Sequence, residues 1–338
     1  MKKILLATTA LVGFAGFAAA EVVVTGSADM GIAGGSEIQT QFHNDIDVTF
    51  TMTGETDGGL TFGAAIGLTD FVNTYTDGNT GKPAGVTGSD DGLGFNNNRD
   101  NNSAVFISGA FGTVTLGDTD GALDKVMDET AIGTALTDDH TTHAGYSGNG
   151  GFDGDNDGQV LRYDYSFGAF SVAASAEQDA VGQGGGGGRK AGKEQKTTFG
   201  VGVHYTGDIG AITLDAGLGF QTGYFTKGNG TVVDDDIIGV SLKGSMVNGF
   251  TGILNYTSAK SGQTHTAVGV GYTAGALTVA ANYGVFDLDQ AQQSGFGVIA
   301  NYDLGGGAVA AVGYGSSSDN DKKTKDTNTF SAGMVFSF

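Results

Sequence analysis

The chain has 338 residues, with 37 acidic residues against 16 basic ones for a formal charge of −21, and its 62 glycines accompany one proline, no cysteine and no tryptophan. An acid excess of this kind excludes nucleic acid as a partner, because phosphate binding needs clustered Lys and Arg, and the lack of cysteine excludes a disulfide scaffold. The glycines are interleaved with alternating apolar residues and not clustered alone, which argues against a disordered low-complexity chain.

The first twenty residues, MKKILLATTALVGFAGFAAA, place Lys2 and Lys3 before an apolar run and end on Ala18-Ala19-Ala20. The run from Ile4 to Phe17 is shorter than the roughly 20 residues of a spanning helix. Residues 1–20 are therefore expected to be a cleaved secretory signal, with 21–338 as a single domain.

From Glu21 onward helical periodicity is nearly absent and alternation takes its place. In NDIDVTFTMTGE, Ile46, Val48, Phe50 and Met52 share one face against Asp47, Thr49, Thr51 and Thr53. In TTFGVGVHYTG, Phe199, Val201, Val203 and Tyr205 oppose Thr198, Gly200, Gly202 and His204. Such segments predict strands near 21–33, 44–54, 59–69, 103–109, 113–118, 160–167, 169–178, 195–206, 211–222, 236–246, 250–259, 264–273, 276–286, 293–303, 307–315 and 328–338, sixteen in all. Short turns such as GAFG (109–112) and YTAGA (272–276) alternate with long polar stretches at 70–102, 119–159, 179–194, 223–235, 287–292 and 316–327. The expected fold is all-β, a 16-stranded antiparallel transmembrane barrel. A soluble two-sheet sandwich also alternates, but an inner face of Gly, Thr and Asp would leave it no dry core.

The chain ends on NTFSAGMVFSF, where Phe330, Ala332, Met334, Phe336 and Phe338 share a face. An even strand count brings both ends of the chain to one end of the barrel, so this last strand is expected to pair with the strand from Glu21 and to present its even-numbered face to lipid. Closure leaves no free sheet edge in hydrocarbon. The glycines of the polar face are expected to leave water space, and those of the turns to permit tight bends.

The start EVVVTGSADMGI, the segments SGAFGTVTLGDTDGAL (108–123), YSFGAFSVAAS (165–175) and NYDLGGGAV (301–309), and the terminal Phe338 resemble the general diffusion porins of alphaproteobacteria. The resemblance runs along the whole chain. It implies a homotrimer of barrels in the outer membrane of a Gram-negative bacterium, a third long loop folded inward, and a terminal phenylalanine read by the outer-membrane assembly machinery. Work of this kind is passive: a water-filled lumen replaces hydrocarbon, and its narrowest point filters by size and field, without catalytic residues or a required cofactor.

By position the constriction loop is 119–159, entered from Asp118, and the first half of the 118–159 stretch carries Asp118, Asp120, Asp124, Asp128, Glu129, Asp138 and Asp139 with Lys125 as the only base. The resemblance implies that it faces a basic cluster on the opposite wall. The sequence departs from this pattern, because no Lys or Arg lies between Glu21 and Gly81. On polar strand faces Arg162, Lys243, His204 and His265 stand against Asp29, Asp47, Asp164 and Asp215. A lumen dominated by one sign of charge concentrates counterions, so cations and neutral solutes are expected to pass in preference to anions.

In DGDNDGQVLRYD, Asp153, Asp155, Asp157, Gly158 and Asp164 match positions of a calcium-binding loop, but the twelfth position lacks the bidentate Glu and 160–167 alternates as a strand. Calcium is thus a possible ligand of a looser carboxylate cluster, against a solvated Asp/Gly turn. GQGGGGGRKAGK (182–193) lacks the Gly-Lys-Ser/Thr ending of a phosphate-binding loop, and Arg189, Lys190 and Lys193 suit lipopolysaccharide phosphates instead. His140 and His143 are a weak metal hint. Two alternatives stay open: a substrate-selective channel of the same architecture, and a secreted Gly/Asp-rich calcium-binding β protein, which would have no need of the Phe338 ridge.

Overall fold

The computed structural model describes residues 21–36, 39–70, 103–136, 143–147, 149–153, 159–178, 197–226, 232–288, 291–318 and 326–338. Residues 1–20, expected from sequence to be a signal, Asp138, Asp139, His140, Asp155, Asp157 and the 182–193 segment lie outside these residues. In chain order the elements are β1 (Glu21–Gly35), β2 (Gln41–Glu55), β3 (Thr61–Asp70), β4 (Ala104–Gly109), β5 (Gly112–Gly117), α1 (Ala122–Val126), β6 (Val160–Phe167), β7 (Phe170–Gln178), β8 (Thr197–Ile209), β9 (Ile212–Gln221), β10 (Tyr224–Thr226), β11 (Val232–Asp234), β12 (Ile237–Met246), β13 (Phe250–Ala259), β14 (Thr264–Ala274), β15 (Leu277–Leu288), β16 (Ala291–Gly305), β17 (Ala308–Ser318) and β18 (Thr327–Ser337).

Alternation along each strand has its cause in the two solvents that the sheet separates. Outward positions carry Met30, Phe199, Leu254, Val270 and Val312, all more than half exposed. Inward positions carry Ser, Thr, Asn, Asp and Gly, whose polar groups need partners or water. Backbone groups in such a wall must be satisfied within the sheet, and the sheet provides this by closing. Sixteen strands form one closed antiparallel barrel, with β9 paired to β12 and β18 to β1. β10 and β11 stand apart as a two-stranded sheet. All sixteen expected barrel strands are present.

The seam joins the two ends of the chain. Its register runs from Ser27 opposite Ser337 to Gly35 opposite Thr329. At its end Phe338 N donates to Gly26 O (2.8 Å), Gly26 N donates back to Phe338 O (3.3 Å), and the Phe338 ring stacks on Phe336. Short turns close the hairpins at this same end of the barrel, where Ser337 N donates to Gly307 O (2.9 Å). Gly210 and Gly275 adopt φ of 67° and 61° there, a conformation that two-residue turns between twisted strands require and that glycine supplies without steric penalty.

The dry core does not lie within the sheet. The buried apolar residues cluster where the 118–159 segment meets the inner wall: Ala122, Leu123, Val126 and Met127 against Ala173, and Ala135 with Ile132 against Ala280 and Ile299. Ile299 is an apolar residue on an otherwise polar face, and the loop covers it.

Candidate functional site

The described residues of the 118–159 segment turn into the barrel and run along its inner wall. Arg162 starts the path. From the inner face of β6 its Nη1 donates to Asp120 O (2.6 Å) and Thr119 Oγ1 (3.1 Å), while its Nε donates to Asp164 (2.9 Å). The chain then forms α1, whose first residue Ala122 donates its N–H to Ser175 Oγ on β7 (2.9 Å). The cap residue Gly121 has no side chain to offer. The carboxylate of Asp153, from the returning limb, accepts its N–H instead (2.7 Å).

Glycines make this close seat possible. A Cβ on Gly200 or Gly202 of β8 would meet Ala122 or Val126, and one on Gly217 or Gly219 of β9 would meet Val126 or Leu123. Farther round the wall, Gly269 faces Thr130, Gly271 faces Ile132, and Gly31 and Gly333 at the seam both face Leu136. These inward glycines do not leave water space, as the sequence suggested; they form a smooth track for the loop. On the return limb Gly284 faces Gly145 and Gly295 faces His143.

Side chains of the wall satisfy the loop backbone between these contacts. Ser241 Oγ accepts Asp128 N (2.8 Å), and Asn255 Nδ2 donates to Asp128 O (2.9 Å). Asn301 makes a two-way amide pair with Thr134, at 2.8 Å in each direction. Ser331 accepts Leu136 N (3.3 Å). Returning, Ala144 N donates to Ser317 Oγ (2.9 Å), His143 Nε2 meets Asn282 Oδ1 (2.9 Å), and His265 Nε2 donates to Gly145 O (2.8 Å). Gln221 then closes the return, accepting Phe152 N (2.9 Å) and donating to Asp153 (2.5 Å). Apart from His143, His265 and Asp153, named for other roles, sequence reading missed this set, because each bond joins residues far apart in the chain. Its one local trace is an amide or hydroxyl placed among glycines on an inner face, as in Ser241 two residues after Gly239.

The charged residues named from sequence divide into two groups. Arg162 and His265 occupy inner-face positions but are 8% and 2% exposed, so they anchor the loop instead of lining open water. Lys243 Nζ and His204 Nε2 each lie 3.5 Å from the Asp128 carboxylate. The basic side chains therefore hold the loop from the wall beneath it, and the cluster implied on the opposite wall is not found among the described residues. Glu129 accepts a hydrogen bond from Tyr146 OH (2.5 Å). Burial, together with the carboxylates of Asp120, Glu129 and Asp153, pushes Asp124 up to about 7.

The second group is acidic and lies on the wall. Register places Asp29 opposite Asp45 and Ser27 opposite Asp47 on the inner face of β1 and β2. His43 Nε2 lies 2.9 Å from Asp29 Oδ1. Asp215 on β9 accepts Thr206 Oγ1 (2.9 Å). Asp118 stands where β5 ends and the loop begins, its N–H donating to Ser103 O (2.9 Å). Of the residues suggested for calcium, Asp153 binds Gly121 and Gln221, and Asp164 binds Arg162. Among the described residues no group of three or more His, Cys, Asp or Glu is arranged to hold a metal.

A sequence profile described as Gram-negative porin matches residues 7–323. A porin of Rhodobacter capsulatus is 29% identical over 340 residues, which cover 90% of this chain and 96% of that protein. Among solved structures, a refined porin superposes with a TM-score of 0.65 at 24% identity, covering 94% of this chain and 100% of its own. A substituted form of Rh. blastica porin gives 0.62 at 19% identity over the same shares. At these identities the structural matches speak for the barrel itself.

Proposed function

The chain belongs to the Gram-negative porin family, and from that premise we propose that its lumen is a passive, cation-preferring path for small hydrophilic solutes, narrowed by the 118–159 loop. The protein is an outer-membrane channel whose strands cross the membrane many times. One observation carries the finer reading: the distribution of inner charge. Among the described residues Lys and Arg number four, Lys125, Arg162, Lys243 and Lys260. Three of them are matched to carboxylates, Arg162 to Asp164, Lys243 to Asp128 and Lys260 to Asp236. Asp29, Asp45 and Asp47 share a stretch of inner wall with His43 and with no Lys or Arg among the described residues.

A lumen with this excess holds cations near its wall and repels anions, an effect of low-dielectric walls that weakens with salt. In a planar bilayer with a KCl gradient, the reversal potential should have the sign of potassium preference. Replacing Asp45 and Asp47 by Asn should move it toward zero. Chloride preference in the wild type would reject the proposal.

The chain is also proposed to assemble as a homotrimer through the arc β18, β1 to β5. Among the described residues the outward-facing tyrosines, Tyr163, Tyr165, Tyr205, Tyr256, Tyr272, Tyr283, Tyr302 and Tyr314, all lie on β6 to β17. Tyrosine favours the headgroup level of a membrane, so the arc without it suits a protein neighbour better than lipid.

A further inference from the structure

Between the returning limb of the loop and the long-connection ends of β12 to β15 lies a cavity of about 250 Å³. Phe152 from the loop and Phe286 from β15 give it aromatic borders, and Asn149, Asp235, Gln263 and His265 give it polar ones. None of these side chains contributes to the inner acidic wall.

Two of the polar side chains are buried with hydrogen-bonding capacity left over. Because the Gly145 carbonyl can only accept, His265 Nε2 carries the proton of that bond and Nδ1 is left as an acceptor. That Nδ1 has no partner. The Oδ1 of Asn149 accepts Asn255 Nδ2 (2.9 Å), and its own Nδ2 donors have no partner. Buried polar atoms in this state are rare and unfavourable, and a ligand or water is the usual explanation. A hydroxyl group both donates and accepts, so hydroxyls answer the two needs together. The Phe286 ring, packed at 4.2 Å on His265, offers an apolar surface of the kind the C–H face of a ring prefers. Asp235, whose Oδ1 accepts Ser261 N (2.7 Å), places an acceptor at the rim and disfavours anions.

We propose that this cavity binds a small, neutral, polyhydroxylated ring, a free sugar, on its way to the narrowed section. The inference rests on reading the lumen as a solute path, and that reading is scored separately by the open current in plain KCl.

Single channels in a planar bilayer, bathed in KCl, test it with D-glucose as the probe. Wild type should show glucose-dependent current noise that saturates. Phe286→Ala should weaken the apparent affinity about tenfold, and Phe286→Tyr should retain it. Thr257→Phe, which fills the cavity from β13, should abolish the saturable component and leave the glucose-free current unchanged. Glucose that only lowers current in proportion to viscosity, alike in all four proteins, would overturn the site. Absence of any open current in KCl would instead remove the solute path, and this inference with it.

Discussion

Asp124 and Asp153 bear the electrostatic cost of seating the loop. Burial is the largest influence on both, and it raises Asp124 to about 7 and Asp153 to about 6. For Asp153 the hydrogen bonds from Gly121 and Gln221 pull the other way without cancelling burial. A carboxyl raised in the seated state binds its proton more tightly there than in a released loop, where its ordinary value of 3.8 would return. Seating is therefore favoured most below that ordinary value, and the advantage is lost as pH rises through about 6 to 7. Open-channel current noise should grow several-fold between pH 5 and pH 8 as the loop loosens, and Asp124→Asn should flatten most of that rise. An unchanged pH profile in the variant would show that Asp124 does not couple to the loop. The carboxylates themselves were legible in the sequence, since any acidic loop displays them. Their burial was not, because it depends on Ser175, Gln221 and Arg162, residues brought beside the loop only by closure of the sheet.

At the scale of elements, α1 and the glycine track form one unit. The helix is five residues long, too short to stand alone in water and too short to leave a periodic signal. It exists because β8 and β9 present glycines beneath it and β7 adds only the small side chains of Ala173 and Ser175. A Cβ on Gly217 would overlap Val126 O, and overpacking of that kind costs about 1–3 kcal/mol. Gly217→Ala should consequently give an assembled barrel of higher conductance, whereas Gly252→Ala, with nothing within 4 Å of the added carbon, should behave as wild type. Equal conductance in the two variants would mean that the track does not hold the loop. The strands were read far more easily than this helix. Between lipid and water a residue's direction dictates its polarity, so Leu254 and Asn255 declare their faces. Beyond the lipid both faces are wet, and the ladders run past the predicted ends: β8 continues to Ile209, β15 to Leu288 and β17 through Ser316 to Ser318. The β10–β11 hairpin, three residues a side, gave no alternation long enough to detect.

For the whole molecule, the wall and the loop have separate determinants. Hydrophobic alternation and the β1–β18 seam build a closed cylinder, while long-range polar contacts decide how much of its interior stays open. The cylinder has an uneven outer surface: tyrosines ring β6 to β17, and the arc from β18 through β5 carries Met30, Ile32 and Ile66 in their place. β4 and β5 in this arc are only six residues long, about 20 Å at 3.3 Å per residue before tilt, short of the roughly 25 Å apolar band of such barrels. A wall this low is poorly matched to lipid and better matched to other copies of itself. The chain lacks cysteine, so single thiols report cleanly on each side. Met30→Cys and Ile66→Cys in the membrane-inserted protein should react slowly with a lipid-soluble maleimide, and Val270→Cys, on the tyrosine side, should react at least tenfold faster. In the isolated chain Met30 and Val270 are almost equally exposed, 58% and 56%, so the difference would come from neighbouring protomers. Native mass spectrometry should then give three copies; equal labelling at the three sites with a single-copy mass would refute the trimer.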